Sequence, residues 1–381
     1  MSEKCPVAKK CGGCQLTNLS YPEQLSYKQV KVIRLLKNFG HVREIIGMDN
    51  PYHYRNKIQS AFGTDRHGNI ISGVYQSSTH NIVPVDSCLL ENENADRIIV
   101  TIRKMLKAFH LTAYNDKTGR GFLRHILIRT ATTGEIMVVL VTGTPEFPCK
   151  NDFIKELLTR HPEITTIVQN VNDKFTSLVL GDKQTVLYGN GYITDNLCDC
   201  KFRISPKSFY QINPTQTEIL YNIAMKFAQL DEKCTVLDAY CGVGTIGLVA
   251  AKNAKKVIGV EINPDAVNDA KINAKLNNIE NAEFFCADAG EFMLELANKH
   301  THIDTVFMDP PRAGSDVKFL SCVTKLSPNK IVYISCNPET QARDLLYLTK
   351  HDFKVKAIQP VDMFPHTNHV ECVVLMSRKD R

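Results

Sequence analysis

The stretch Val236-Leu237-Asp238-Ala239-Tyr240-Cys241-Gly242-Val243-Gly244-Thr245 decides the fold. A short apolar run ends at an aspartate and breaks into two glycines one residue apart. This reads as a buried strand opening into a tight turn, where glycine lets the backbone reach positive φ and approach a ligand closely. Nineteen residues after Gly242, at the end of the next apolar run, stands Glu261. A carboxylate there suits the two hydroxyls of a ribose. Asp288 closes a third run, where a short polar side chain meets an adenine edge. Gly242, Gly244 and Gly247 also satisfy the G-x-G-x-x-G pattern. The loop alone therefore leaves NAD and S-adenosylmethionine both open, with a ligand-free turn as a third reading.

Working outward, strands at Thr235–Ala239, Lys256–Glu261, Ala282–Cys286, Asp304–Met308, Lys330–Ser335, Lys354–Val361 and Val370–Met376 alternate with helices at Gly247–Asn253 and Pro264–Asn277. The alternation predicts an α/β domain over 205–381, built on a parallel doubly wound sheet. Residues 52–200 change to short β-branched runs: Lys57–Phe62, Ile70–Tyr75, His125–Thr130, Ile136–Thr142, Thr165–Asn170 and Ser177–Leu180. They predict a largely antiparallel β-rich domain with helices near 93–109 and 151–160. Pro22 to Phe39 predicts an amphipathic helix with Leu25, Val30, Ile33, Leu35 and Leu36 as its apolar face. Residues 1–18, rich in Cys and Gly, predict no regular element. The border falls near Phe202–Ser208, giving domains 1–204 and 205–381.

The 381 residues are 43% hydrophobic and 23% charged, which excludes a fibrous repeat, a long disordered tail and a small disulfide scaffold. No run of about 18 apolar residues exists, so no membrane span is expected. Met1–Cys5 lacks an apolar leader core, which predicts a cytoplasmic address; a monomer is expected. Thirteen cysteines, an odd number, in a reducing compartment point to metal binding or catalysis rather than disulfides. Residues 1–204 carry 26 basic and 19 acidic side chains, and 205–381 carry 20 and 21. The basic excess is thus confined to the front half, where it either attracts a polyanion or forms a solvated face.

Two further segments bear on the chemistry. Asp309-Pro310-Pro311-Arg312 follows the fourth strand, and its prolines stiffen the backbone so that Asp309 faces a cleft. Arg312 stands where exocyclic-amine methylating enzymes carry a base-stacking aromatic, which argues against that chemistry. Ser335-Cys336-Asn337-Pro338 follows the next strand, placing a nucleophilic sulfur on the same rim. Glu371, ahead of the last strand, is a candidate general base. One Cys, one carboxylate and a methyl donor are what C5 methylation of uracil requires: a thiolate adds to C6, C5 becomes electron-rich and takes the methyl group, and a base removes the C5 proton. A base inside folded RNA must be flipped out to reach such a cleft. At the front, Cys5, Cys11 and Cys14 with the remote Cys88 offer four thiolates to a [4Fe–4S] cluster or to zinc. Lys9, Lys10, Arg55 and Lys57, with Tyr52 and Tyr54 between, suit irregular RNA, as do Arg120, Arg124, His125 and Arg129.

These segments, with Tyr54-Arg55-Asn56-Lys57, Ser205-Pro206, Phe209-Tyr210-Gln211-Ile212-Asn213 and Asp362-Met363-Phe364-Pro365-His366-Thr367, resemble the RNA uracil-C5 (5-methyluridine) methyltransferases over nearly the whole chain. The resemblance is greatest to the iron–sulfur branch that acts on 23S ribosomal RNA. It implies a Rossmann-like methyltransferase domain, a β-rich domain carrying the cluster, Cys336 as nucleophile and Glu371 as base. It also implies S-adenosylmethionine at Gln211, Tyr240, Glu261, Asp288 and Asp309, and a [4Fe–4S] cluster on Cys5, Cys11, Cys14 and Cys88. The helix at 22–39 is expected to pack on the catalytic domain. Many relatives begin with a small RNA-binding β-barrel, the TRAM domain; with four residues before Cys5, that domain is not expected here. A transfer-RNA substrate is the alternative, a non-catalytic RNA-binding protein a more distant one, and an NAD oxidoreductase the reading that leaves Asp309–Arg312 unexplained.

Overall fold

A computed structural model describes residues 5–76, 79 and 81–379. The leader reading over Met1–Lys4 lies outside them. A four-residue helix α1 (Ala8–Cys11), ended by Gly12 at φ 68°, interrupts the segment expected to be irregular. Helix α2 (Tyr21–Leu36) starts where Pro22 is tolerated and Glu23 accepts from the Ser20 amide at 2.7 Å. Its buried face is Gln24, Lys28, Val32 and Leu36. Val30 and Ile33, expected inside, are 66% and 39% exposed. The polar stripe won because it meets buried polar groups across the interface, described below.

The central domain runs β1 (Lys57–Thr64), β2 (Ile70–Tyr75), β3 (Ile82–Pro84), α3 (Glu93–Ala108), β4 (Leu123–Thr130), β5 (Ile136–Thr142), α4 (Lys150–Arg160), β6 (Ile164–Val171) and β7 (Lys183–Tyr188). Its seven strands lie in the order β3-β2-β1-β4-β5-β6-β7. The sheet is largely antiparallel, as expected; β5 and β6 alone pair in parallel among its strands, joined by α4 as a crossover. No strand forms at Ser177–Leu180; the edge strand is β7 instead. Central strands β4 and β5 are buried along their whole length. That burial overturns one expectation. Arg124, His125 and Arg129 are 5%, 8% and 3% exposed, not presented to RNA. Arg124 donates to the carbonyls of Asn172 (2.7 Å) and Lys174 (2.9 Å), and Arg129 to that of Ser208, so these cations fasten loops.

A hairpin, β8 (Ile193–Leu197) and β9 (Cys200–Ile204), leads into the catalytic domain: α5 (Pro214–Ala228), β10 (Thr235–Asp238), α6 (Thr245–Ala251), β11 (Lys256–Glu261), α7 (Pro264–Leu276), β12 (Ala282–Cys286), α8 (Ala289–Asn298), β13 (Thr305–Met308), α9 (Val317–Leu326), β14 (Lys330–Ser335), α10 (Pro338–Lys350), β15 (Phe353–Val361) and β16 (Glu371–Arg378). Strand order is β12-β11-β10-β13-β14-β16-β15. The first five are parallel, but β16 is antiparallel to both neighbours, so this sheet too is mixed. One apolar core joins Leu127, Val139 and Val168 of the central sheet to Phe202, Leu220, Val236 and Ile334. The hairpin and α5 are therefore shared packing between the sheets rather than a linker.

The N-terminal segment wraps the catalytic domain. Val32, Leu36, Val42 and Ile45 enter its second core with Tyr333, Leu345 and Ile358. Residues 42–46 bridge to Ile358 and Val361 in parallel, covering the outer edge of β15. Lys28 and Asp362, both fully buried, pair at 2.6 Å.

Candidate active site

The two halves of the catalytic sheet bring the cleft residues together by register. Parallel strands β10, β11, β13 and β14 end on one side, delivering Tyr240, Glu261, Asp309 and Cys336 there. Because β16 runs back along β14, the last residue of β14, Ser335, pairs with Cys372, the second residue of β16, and the charge of Glu371 acts on the Cys336 thiol just beyond that pair. Behind this junction Gln341 of α10 donates to the carbonyls of Tyr333 and Cys372, each at 3.1 Å, and holds the strands in step.

Electrostatics here are strongly coupled. Glu371 is 3% exposed, and its Oε2 has no hydrogen-bond partner among the described residues. Burial and the charge of Asp309 hold its carboxyl well above the ordinary range, and Arg312 opposes them. Burial also raises Asp309 to about 7. The half-buried Cys336 thiol is pushed up to about 11 by desolvation, Glu371 and Asp309, while the Arg312 guanidinium, hydrogen-bonded to the sulfur, pulls it down. Arg312, seen in the sequence only as a missing aromatic, is thus the cation that acts on both Cys336 and Glu371. Nothing in its local pattern signals that; only the register of β13, β14 and β16 does. A buried carboxyl with an unpartnered oxygen, facing a sulfur, can take a proton from a carbon held between them.

The donor pocket is equally specific. Gly242 takes φ 53° with open space where a side chain would stand. Its amide donates to Glu261 at 3.2 Å, and the Asn263 amide to the other carboxylate oxygen at 2.9 Å, fixing Glu261 at the end of β11. Tyr240 packs against Phe319 with ring centroids 4.9 Å apart. Asp288, exposed, caps α8 through the Glu291 amide at 2.9 Å. Asp238, missed in the sequence, is buried, accepts from the Gly247 amide at 2.8 Å and is raised to about 7 by desolvation. Gln211 lies on the loop between β9 and α5, half-buried, its carbonyl accepting from Asn56 at 3.1 Å. An open glycine turn beside a fixed carboxylate and an aromatic ring fits the ribose and adenine of a nucleoside.

The loop before Glu371, residues 362–370, is held from the N-terminal segment. Lys28 Nζ reaches Asp362 and the Phe364 carbonyl (2.9 Å). Tyr54 hydroxyl donates to the Pro365 carbonyl at 3.1 Å. The His366 amide donates to Gln24 Oε1 at 2.8 Å, and the Leu16 amide to the His366 carbonyl at 3.0 Å. Tyr52 packs on the His366 ring at 4.9 Å. Under this loop, Cys5, Cys14 and Cys88 line one cavity with His366, and Cys11 lies close enough to repel the Cys14 thiolate. Burial and these neighbours push Cys14 up to about 11, and burial with Glu91 pushes Cys88 up to about 12. Four soft donors around one cavity fit an iron–sulfur cluster in kind. Among the described residues, however, no group of three or more His, Cys, Asp or Glu side chains is drawn in to metal-binding distance. Half-buried Lys57, paired in register with Arg129, is lowered to about 8 by burial and by Arg129 and Arg55. Among the described residues no helix is long and apolar enough to cross a membrane.

Residues 20–379 match the tRNA (uracil-5-)-methyltransferase family. An uncharacterised RNA methyltransferase of Bacillus cereus is 46% identical over 384 residues, covering 99% of this chain and 83% of the relative. Another, from Clostridium acetobutylicum, is 46% identical over 385 residues, covering 99% and 84%. Among solved structures, the Pyrococcus abyssi tRNA (uracil-54, C5)-methyltransferase in complex with S-adenosyl-L-homocysteine is 30% identical with a TM-score of 0.79, covering 96% of this chain and 85% of that one. The chain therefore uses S-adenosylmethionine, and the NAD reading falls. The chain belongs to the tRNA (uracil-5-)-methyltransferase family and is an S-adenosylmethionine-dependent RNA (uracil-C5)-methyltransferase.

Proposed function

We propose that the chain methylates C5 of uridine in 23S ribosomal RNA, with Cys336 as nucleophile and Glu371 as base. The observation that carries the residue roles is that Cys336 and Glu371 flank the Ser335–Cys372 pair of β14 and β16, which brings a half-buried sulfur near a buried carboxyl whose Oε2 has no partner among the described residues. S-adenosylmethionine supplies the methyl group. Gln211, Tyr240, Glu261, Asp288 and Asp309 are the residues we assign to its pocket, Glu261 fixed by two backbone amides for the ribose. Cys336 Sγ forms a bond to C6 of the uracil, which moves an electron pair to C5 and the ring carbonyl. Once C5 carries the methyl group, Glu371 removes the C5 proton, and the C6–S bond breaks to restore the ring and the thiolate. Arg312 favours the anionic forms of both side chains, against the burial that disfavours them.

We assign Cys5, Cys11, Cys14 and Cys88 to a [4Fe–4S] cluster. A bound cluster would cross-link residues 5–14 to the Leu89–Glu91 turn, whose carbonyls hold the His53 and Arg55 amides at 2.9 and 2.8 Å. Uracil methylation gains and loses no electrons, which favours a structural task. The resemblance of this cysteine spacing to the ribosomal branch supports the rRNA substrate. A tRNA substrate is the second reading, favoured by the Pyrococcus abyssi enzyme, which acts on tRNA. Mapping 5-methyluridine in 23S rRNA and tRNA from cells lacking the protein, then complemented with wild type or Cys336→Ala, tests both. The expected result is a loss confined to 23S rRNA that wild type restores and Cys336→Ala does not. Loss from tRNA alone would overturn the substrate, and restoration by Cys336→Ala would overturn the nucleophile.

A further inference from the structure

At the end of the catalytic sheet opposite the cleft lies a wide basin between the C-terminal ends of α9 and α10, the start of β15 and the end of β16. Seven Lys and Arg side chains line it against one carboxylate, Asp352. This is the reverse of the surrounding domain, where acidic residues outnumber basic ones 21 to 20. Lys325, Lys350, Lys356 and Arg378 are exposed, and none has a carboxylate within ion-pair distance among the described residues.

Some of these cations have structural work. Lys330 Nζ donates to the Ala228 carbonyl at 2.6 Å, Arg378 to the Ser327 carbonyl at 3.1 Å and Lys379 to the Thr349 carbonyl at 2.8 Å. Lys325 and Lys350 sit in the last turns of α9 and α10, where a cation offsets the helix dipole. Lys356, on β15, has no such task, yet it faces the same basin. Helix capping therefore does not account for the concentration of charge.

We propose that this basin holds the phosphate backbone of the substrate RNA at a stretch remote from the methylated base. The inference rests on RNA being the substrate. From Lys330 to Cys336 the chain follows β14, so the basin lies about 20 Å from the nucleophile. A small hairpin threaded into the cleft ends short of it, whereas a long folded RNA passes over it. Concave, carboxylate-poor lysine surfaces bind phosphates by releasing condensed counterions and add affinity without sequence preference. The basin thus favours large RNA over its excised stem-loop and leaves the chemical step untouched.

The test uses the full chain with Lys325, Lys350 and Lys356 changed together to Glu, and a second variant with all three changed to Gln. Binding is titrated against salt, in S-adenosyl-L-homocysteine, for full-length 23S rRNA and for a short stem-loop around the modified uridine. The expected result is long-RNA affinity lower by about tenfold or more, with the slope of log K against log salt reduced by roughly two, while stem-loop affinity and turnover stay at wild type. The Gln variant should show the same loss in smaller degree, with a melting temperature lowered by at most a few degrees through the two helix termini. Unchanged long-RNA affinity and slope would overturn the proposal and give the basin to an acidic protein partner. Equal loss on both RNAs would overturn it as well. A wild-type protein that methylates neither RNA would instead overturn the rRNA substrate assignment.

Discussion

Arg312 shows how one side chain sets the working pH of the cleft. It lowers both the Cys336 thiol and the Glu371 carboxyl, each of which burial raises. In the proposed mechanism both groups act in their ionised forms, so activity is expected to climb as pH rises from neutral into the alkaline range. Arg312→Gln removes the opposing charge and favours the protonated forms. The rising limb of the kcat profile should move to higher pH, with turnover at pH 7 down by roughly 10–100-fold and partly recovered in alkali. Single-turnover rates at saturating RNA check this; an unmoved limb would show that Arg312 does not tune the pair. Cys336 and Glu371 could be nominated from the sequence because each stands at a strand terminus. Arg312 was legible only as an exception to another chemistry, because its influence depends on strands distant in sequence. Arg124, His125 and Arg129 were misread for the complementary reason. Charge in a sequence does not reveal that its strand is central, and β4 buries all three.

At the scale of elements, α2 was found, but its buried face was only partly read. Leu36 is buried and Leu25 and Leu35 pack on the core as expected, whereas Val30 and Ile33 face out and Gln24 and Lys28 join Val32 and Leu36 at 0% exposure. Polar residues go inside only when partnered, and the partners, Asp362 and His366, lie at the far end of the chain. Lys28 is the charged half of that contact, with Tyr21 hydroxyl donating to the second Asp362 oxygen at 3.0 Å. Lys28→Met leaves a buried carboxylate uncompensated and should destabilise the protein by about 3–5 kcal/mol. Adding Asp362→Asn should recover most of that loss, because the orphaned charge is gone. Urea unfolding of the two variants decides it: equal destabilisation in both would mean that packing, not charge, sets the cost. The glycine turn and the parallel strands were readable from apolar runs and spacing. The reversal of β16, which carries Glu371 to Cys336, was not, since a strand's direction is not written in its own residues.

For the whole molecule, the cysteine module and the catalytic domain form one unit. Protein purified without oxygen should hold about four iron and four acid-labile sulfide per chain. Cys88→Ser should lose both, although Cys88 comes from far downstream of the other three. Stoichiometric zinc in place of iron would contradict the assignment. The two-domain outline was visible as a change of rhythm near Phe202–Ser208. The shared core between the sheets was not, because it joins residues from both sides of that border. Residues 42–46 cover the edge of β15, and Leu16, Gln24 and Lys28 hold the loop that leads into β16. Those last contacts join residues 16–28 to residues 364–366. On the ribosome the first of these segments emerges more than 300 residues ahead of the second, so the ties that hold the loop before Glu371 form only late in synthesis.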